Sequence, residues 1–519
     1  MTPVMLSRGL KNSAALLPDV LESIARGQRA RGPGRMHHLK SACIVILFCA
    51  ATTYAKTQVH CTKLLDFTGP NGYYPNALVQ GTDGNLYGST FGSIIGPPGH
   101  HTFSGGTIFR MTPAGQQTVL YTFCAQANCP DGDGPSSHMV LATDKNFYGT
   151  TSYGGAHSSP SVFGGTFFKV TKGGALTTLY SFCALANCAD GSYPGQLIQG
   201  ADGNFYGTTI QGGANASGTV FKITPRGTLT TLYSFCSLTN CADGSNAHDG
   251  GVAVGLFQAT DGNFYGTTAG GGANGGGTVF KITPQGTLTT LYSFCSQANC
   301  ADGDGPLGGV TQATDGNFYG TTYAGGSAPV NYGGTVFKIT PEGKLTSLHT
   351  FCTQTGCPDG YYPATVPIQG TDGNLYGTTA GTDFNISTAG TFQTLHNIPN
   401  TYANPNTTLV QATNGIFYGT TPQGGGAGLG TAYNMAVVGL GPFVEAVQSS
   451  GKVGRIIMIL GQGFIGTTGV FFNGKSASYT VASDTYLKAT IPIGATTGPI
   501  TVATPGGRLT SNKPFVVAP

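Results

Sequence analysis

The sequence predicts an all-β protein: a seven-bladed β-propeller closed by its N-terminal strand, followed by a small β-sandwich. Three observations carry that expectation. The segment "TDGNFYGTT" stands at residues 260–268 and again at 314–322, with near-copies starting at Thr82, Thr143, Ala201, Thr371 and Thr413. Each copy lies among short pieces rich in β-branched and aromatic residues, bounded by turn residues. Charged residues make up only 9% of the chain while Gly numbers 84, which is the profile of many short strands joined by glycine turns. Disorder is excluded because Tyr, Phe, Ile and Val recur regularly enough to build a core.

Residues 1–35 have two readings, a genuine extended leader or a mis-assigned start at Met36. Residues 36–55 read as a secretory signal: a weakly basic start, an apolar run from Ala42 to Ala51, and small residues up to a cleavage point after Ala55. The run is too short to span a bilayer comfortably. No transmembrane segment is expected after cleavage. The net charge of +3 comes from the amino end, since 1–40 hold seven Lys or Arg against two acids. The remainder is slightly acidic, so nucleic acid is not an expected partner.

Residues 56–437 hold the repeats. Aligned on Asp83, Asp144, Asp202, Asp261, Asp315, Asp372 and Asn414, they are spaced 61, 58, 59, 54, 57 and 42 apart. In the third copy the pieces are "GQLIQG", "NFYGTT", "GTVFKIT" and "TLTTLYSF", four antiparallel strands that make one blade. The sixth copy has lost its glycine loop, so that "GTDFNIS" follows "YGTTA" directly. The seventh ends after its third strand, at 430–436. The missing fourth is supplied by "TKLLDF" at 62–67, which matches "TTLYSF" and precedes the first complete blade. Such a strand joins the ring and removes two exposed edges.

Between blades run five Cys-x-x-x-x-Cys loops: Cys124/Cys129, Cys183/Cys188, Cys236/Cys241, Cys295/Cys300 and Cys352/Cys357. Each pair offers two sulfurs, more than fifty residues from the next, where zinc needs about four converging ligands. Local disulfides in an oxidising compartment are therefore expected, and no metal. Cys61 has no partner in this pattern. The aspartates are read as turn formers. "DGDG" at Asp131 and Asp133, and again at Asp302 and Asp304, loosely resembles a calcium loop but lacks its later Glu, so calcium is the alternative there.

Residues 441–519 drop the Cys pairs and the period. Alternating apolar strands with Gly-rich turns predict the β-sandwich. The pieces "ILGQGF", "VFFNG", "ATIP" and "GPITVATPGG", in that order, resemble the IPT/TIG family over Pro442 to about Val517, which implies an immunoglobulin-like fold used as a spacer or binding module. Deleting it is accordingly expected to leave the melting of the ring almost unchanged. The repeat pattern of "DGNFYGTT", a glycine stretch, "GTVFKIT" and "LYSF" resembles the GloVer tandem repeats of exported choice-of-anchor bacterial proteins, from Thr62 to about Ala436. That resemblance implies bacterial export and surface association, in a secreted, extracellular or cell-surface location with the periplasm as a variant. It brings no catalytic residues. The Cys pairs depart from the plain "DG" loop that such repeats often have.

Strand alternation places the Cys and glycine loops on one rim and the uniform Asp-Gly and Pro-x-Gly turns on the other. The variable rim carries Tyr73, Tyr74, Tyr193, Tyr361 and Tyr362, with His100, His101, His157, His248 and Asp249. Of these, Tyr73, Tyr74, Tyr193, Tyr361, Tyr362, His248 and Asp249 are the candidate ligand-binding residues, since exposed Tyr can stack on a sugar or contact a protein. The plain alternative is Tyr packed over loop Gly and Pro. No nucleophile elbow, phosphate loop or facing carboxylate pair stands out. A non-catalytic binding or structural protein with a glycan or protein ligand is expected, the alternative being a polysaccharide-active hydrolase or lyase on the same rim.

Overall fold

The computed structural model describes residues 57–95, 102–136, 138–158, 164–245, 255–327, 333–398 and 407–518. The expected leader and signal, along with His100, His101, His248 and Asp249, lie outside the described residues. The described chain is all-β apart from single-turn segments such as Ala186–Cys188. None of its helices is long and apolar enough to cross a membrane.

Seven sheets built on four antiparallel strands occupy the repeat region. In the third, Ser192–Gln199, Phe205–Gln211, Thr219–Ile223 and Leu229–Ser234 lie side by side in chain order. In the sheet that follows all the others, Val410–Gln411, Phe417–Thr421 and Thr431–Val437 are joined by Val59–Asp66 from the other end of the repeats. Val59 lies opposite Val437 and Asp66 opposite Thr431.

The repeated nine residues form because each has a contact to make. Asp202 accepts from the Asn204 backbone and side chain, from the Tyr206 hydroxyl at 2.9 Å and from Lys222 at 2.8 Å, tying the hairpin turn to two strands. Tyr206 is buried and stacks on Phe264 of the next sheet at 4.0 Å, and Tyr265 stacks on Phe318 in the same way. Gly207 is required because a Cβ there would sit 2.7 Å from the Phe221 ring. Thr209 bonds Thr219 across the sheet, while the preceding threonine reaches a neighbouring sheet, as from Thr267 to the Pro306 carbonyl at 2.6 Å.

A second relay links the sheets. The glutamine ending each first strand accepts the backbone N–H of the preceding sheet's turn: Gln199 from Thr143, Gln258 from Ala201, Gln312 from Thr260, Gln369 from Thr314 and Gln411 from Thr371, at 2.9–3.2 Å. Gln80 of the first sheet accepts in the same way from Thr413 of the last, at 2.8 Å. At the remaining junction, between the first sheet and the second, the position is Leu141.

Leu141 is where the terminal domain docks. That domain packs two four-stranded sheets around Ile457, Val470, Phe472, Leu487, Ile500 and Phe515. Its strand Ile456–Leu460 is apolar on both faces: Ile457 and Ile459 enter the domain's own core, while Met458 and Leu460 join Tyr486 against Tyr87, Met139, Leu141 and Phe147. Thr485 donates to the Thr82 carbonyl at 2.9 Å, and Asn512 donates to the Gln369 carbonyl. The domain is thus seated on the Asp-Gly turns through an apolar contact as well as hydrogen bonds.

Candidate functional site

Five disulfides each close within their own loop, joining Cys124 to Cys129, Cys183 to Cys188, Cys236 to Cys241, Cys295 to Cys300 and Cys352 to Cys357. In four repeats the Cys loop and the glycine loop are built as one surface. There the carbonyl of the second cysteine accepts a glycine N–H from the glycine loop, Gly155 on Cys129, Gly213 on Cys188, Gly272 on Cys241 and Gly326 on Cys300. An aspartate, buried in three of the four and partly covered at Asp131, anchors each of these Cys loops to the outer strand: Asp131 accepts from Tyr121, Asp190 from Tyr180, Asp243 from Tyr233 and Asp302 from Tyr292, all at 2.8 Å.

The Cys352–Cys357 loop differs from the other four. Its repeat has no glycine loop to donate, so the Cys357 carbonyl keeps only the bond that all five loops share, from the glycine three residues on, here Gly360 at 2.9 Å. Its disulfide partner Cys352 is buried, where the first cysteines of the other four loops are only partly covered. His349 also takes the outer-strand tyrosine's place, 2.9 Å from Asp359. Cys357 therefore holds its own loop closed without tying a second loop to it.

The loop anchors bear on the calcium alternative. Asp131 is engaged by Tyr121 and the Cys124 N–H, and Asp302 by Tyr292, Ser296 and the Gln297 N–H. Asp133 and Asp304 instead lie beside the Cys124–Cys129 and Cys295–Cys300 sulfurs, which are not thiolate ligands while joined to each other. Burial raises the Asp133 carboxyl above its ordinary range, opposed by the N–H groups of Gly105 and Gly134.

The candidate tyrosines occupy a recurring turn. In each of five repeats one residue precedes a proline with left-handed backbone: Tyr74 (φ 53°), Gly134 (62°), Tyr193 (58°), Gly305 (62°) and Tyr362 (50°). Its N–H reaches the preceding sheet's glycine loop, Tyr74 to the Leu429 carbonyl, Gly134 to Gly105, Tyr193 to Gly164, Gly305 to Gly276 and Tyr362 to Gly333. The turn therefore suits glycine, and a tyrosine there costs about 1–2 kcal/mol of backbone strain.

The rings gather in separate local groups. Tyr73 is buried and meets Tyr74, which is 38% exposed, edge to face at 5.0 Å. Tyr193 meets Tyr153 at 5.1 Å, with the Tyr153 hydroxyl donating to that of Tyr193 at 3.3 Å. Tyr362 stacks flat on Tyr323 at 4.3 Å and meets Tyr361 at 5.5 Å. His157 is exposed on the glycine loop of the second repeat. Sequence reasoning missed Tyr153 and Tyr323. Their signal was an aromatic just after "YGTT", where sister repeats carry Gly270, Ala324 or Ala269.

A propeller-like repeat protein with a loop-built aromatic rim is the class that this geometry defines. The family model of the Gloeobacter/Verrucomicrobia repeat matches residues 50–247, 162–383 and 237–433, and that of the IPT/TIG domain matches 442–517. The chain belongs to the Gloeobacter/Verrucomicrobia repeat family and carries an IPT/TIG domain after the repeats. No curated protein matches it in sequence. Similar solved structures include a streptogramin B lyase at 14% identity, covering 73% of this chain and 98% of that one, with a TM-score of 0.48. The virginiamycin B lyase of Staphylococcus aureus is 12% identical over 74% of this chain and 100% of that one, TM-score 0.48. A gluconolactonase of Xanthomonas campestris is 12% identical over 75% and 92%, TM-score 0.37.

Proposed function

We propose that the protein is an exported, non-catalytic bacterial surface or secreted binding protein, whose repeats close as a seven-bladed ring through the N-terminal strand. Its Cys-loop rim takes an extracellular glycan or protein on Tyr73, Tyr74, Tyr193, Tyr361 and Tyr362. Ring closure is supported by the pairing of 59–66 with 431–437 and by the Gln80–Thr413 and Tyr74–Leu429 links from first sheet to last, which repeat those between other neighbours. Export is supported by the five loop disulfides.

The observation that carries the binding reading is a tyrosine at three turns that glycine fills without strain in two sister repeats. Strain retained at a rim of variable loops points to use of the ring rather than of the backbone. The test exploits the sister residue. Tyr74→Gly, Tyr193→Gly and Tyr362→Gly together remove the rings and relieve the backbone, so the variant should melt at or above the wild-type temperature. On a glycan array and in pull-down from outer-surface extracts it should lose at least about tenfold of whatever affinity the wild type shows, since stacked aromatics contribute about 0.5–1.5 kcal/mol each. Unchanged affinity with an intact fold would leave the tyrosines as loop packing.

A further inference from the structure

The rim that carries the tyrosines is nearly without charge. Among the described residues of the Cys and glycine loops none is Lys or Arg. Lysines of the repeats lie at the other ends of the strands, where Lys222, Lys281 and Lys338 pair with Asp202, Asp261 and Asp315 of the Asp-Gly turns at 2.8–3.0 Å. Lys63, on the strand that leads to the rim, is bonded to Asp66 at 2.8 Å. The loop acids are engaged as well: Asp131, Asp190, Asp243, Asp302 and Asp359 each hold the tyrosine or histidine of an outer strand, and Asp133 accepts the Gly105 N–H at 2.7 Å. Asp304, beside the Cys295–Cys300 bond, is the remaining acid of these loops among the described residues.

On this uncharged rim one pairing of rings occurs twice, three repeats apart. Tyr153 of the second sheet meets Tyr193 of the third at 5.1 Å, and Tyr323 of the fifth meets Tyr362 of the sixth at 4.3 Å. All four rings are half-buried. In both cases the first sheet has glycine at the left-handed position, Gly134 or Gly305, and the second has the tyrosine there. The partner rings do not come from the same position of the repeat. Tyr153 stands five residues after the tyrosine of its Tyr-Gly-Thr-Thr run and Tyr323 four after. Copying of a repeat unit would have kept one position, so the pair has been reached by two routes, which points to use of the pair itself. Phe91 meets Tyr153 at 6.2 Å and Tyr361 meets Tyr362 at 5.5 Å, extending each pair to three rings.

Resting on the binding role proposed above, we propose that the rim takes an uncharged polysaccharide, held at two places, Tyr153 with Tyr193 and Tyr323 with Tyr362. A sugar ring presents an apolar C–H face that packs on a tyrosine ring, and hydroxyls that loop carbonyls, amides and the tyrosine hydroxyls bond without any charge. An acidic polysaccharide would meet no Lys or Arg in these loops and would be repelled by Asp304. A protein partner brings charges of its own, about a quarter of an average chain, and interfaces between proteins are enriched in Arg. A polymer long enough to reach both pairs makes its second contact intramolecular, so the two pairs reinforce each other.

The experiment is native affinity electrophoresis of the disulfide-intact protein at pH 8, above the ordinary histidine pKa of about 6.5. The gels contain a neutral polymer (laminarin, mixed-linkage β-glucan, galactomannan or pullulan) or an acidic one (alginate, polygalacturonate or heparin). At least one neutral polymer should retard the protein and no acidic one should. By titration calorimetry, the affinity for the retarding polymer should change less than about twofold between about 20 and 500 mM NaCl, because no ion pair is there to screen. Tyr153→Ala with Tyr193→Gly, and Tyr323→Ala with Tyr362→Gly, place sister residues at each pair and should keep at least the wild-type melting temperature. Each double variant should lose about tenfold or more of the affinity, as a bivalent contact becomes single. A panel in which no neutral polymer retards the protein would overturn the proposal. So would an acidic polymer or a protein bound in a salt-sensitive way and lost in the tyrosine variants, although the rim's binding role would then stand. Neutral binding kept in one double variant would overturn the two-pair site, and neutral binding kept in both would overturn the rim's binding role with it.

Discussion

Asp315 shows what one turn residue does for its blade. Burial opposes its ionisation, yet hydrogen bonds from Asn317, Tyr319 and Lys338 outweigh it and hold the carboxyl down at about 2. Asp202 and Asp261, in sister turns, are lowered by similar partners against the same burial, as are Asp243 and Asp302 in the Cys loops. A group whose folded pKa lies below its unfolded value of about 3.9 contributes stability that is present above that value and lost as pH falls through the folded one. The melting temperature should therefore hold from pH 7 to 5 and fall steeply between pH 4 and 2. In Asp315→Asn, thermal melts across the same range should show a shallower acid loss and a lower plateau at neutral pH. Reading the aspartates as turn formers was correct as far as it went. That they also bind a tyrosine hydroxyl four residues on was not legible, because the hydroxyl's reach depends on how Tyr319 is packed in the sheet.

Among the elements, the strand Val59–Asp66 carries the most testable consequence. It covers the edge of Thr431–Val437 over seven residue pairs with one irregularity between Lys63 and Leu65, and behind it lie Met435 and Val437. Deleting 57–67 should expose that edge, lower the melting temperature and produce concentration-dependent aggregation in light scattering. A truncated protein that stays monodisperse and melts at the wild-type temperature would count against a closing role for the strand. This pairing was read from the sequence by counting: the seventh repeat lacks one strand, and one matching strand stands unattached before the first. The pairing of cysteines within each loop was legible in the same way, from Cys124–Cys129 through Cys352–Cys357. The anchoring by Asp190 and Asp243 was not, since nothing in "CALANCAD" or "CSLTNCAD" says which side chain turns inward.

For the whole molecule, the apolar contact predicts that the terminal domain adds to the repeat domain's stability. Met458, Leu460 and Tyr486 cover Met139 and Leu141, and each large apolar side chain so buried is worth about 1.5–3 kcal/mol. Removing 441–519 should lower the melting temperature by several degrees and raise the binding of a hydrophobic dye. Replacing Leu141 with Gln, the residue of its six sister repeats, should weaken docking while offering Thr82 the relay bond that it lacks. Differential scanning calorimetry distinguishes the cases: one shared transition for a docked domain, two independent ones for a tethered one. Because the domain sits on the Asp-Gly turns, the tyrosine rim is left on the other side.

The repeat count, the strand order, the loop disulfides and the terminal sandwich were determined by the sequence alone, because each depends on local periodicity, turn chemistry or spacing that repetition makes visible. The left-handed tyrosines could be named but not understood until Gly134 and Gly305 were seen to share their backbone. Only the tertiary structure decided what Leu141 is for. Leu141 breaks a glutamine relay that exists only between sheets, and a domain more than three hundred residues later in the chain fills the gap. Asp383, His396 and Tyr433 are likewise drawn from separate repeats. They meet where the sixth sheet faces the seventh, and contacts between sheets leave no periodic mark for a reading of the chain to find.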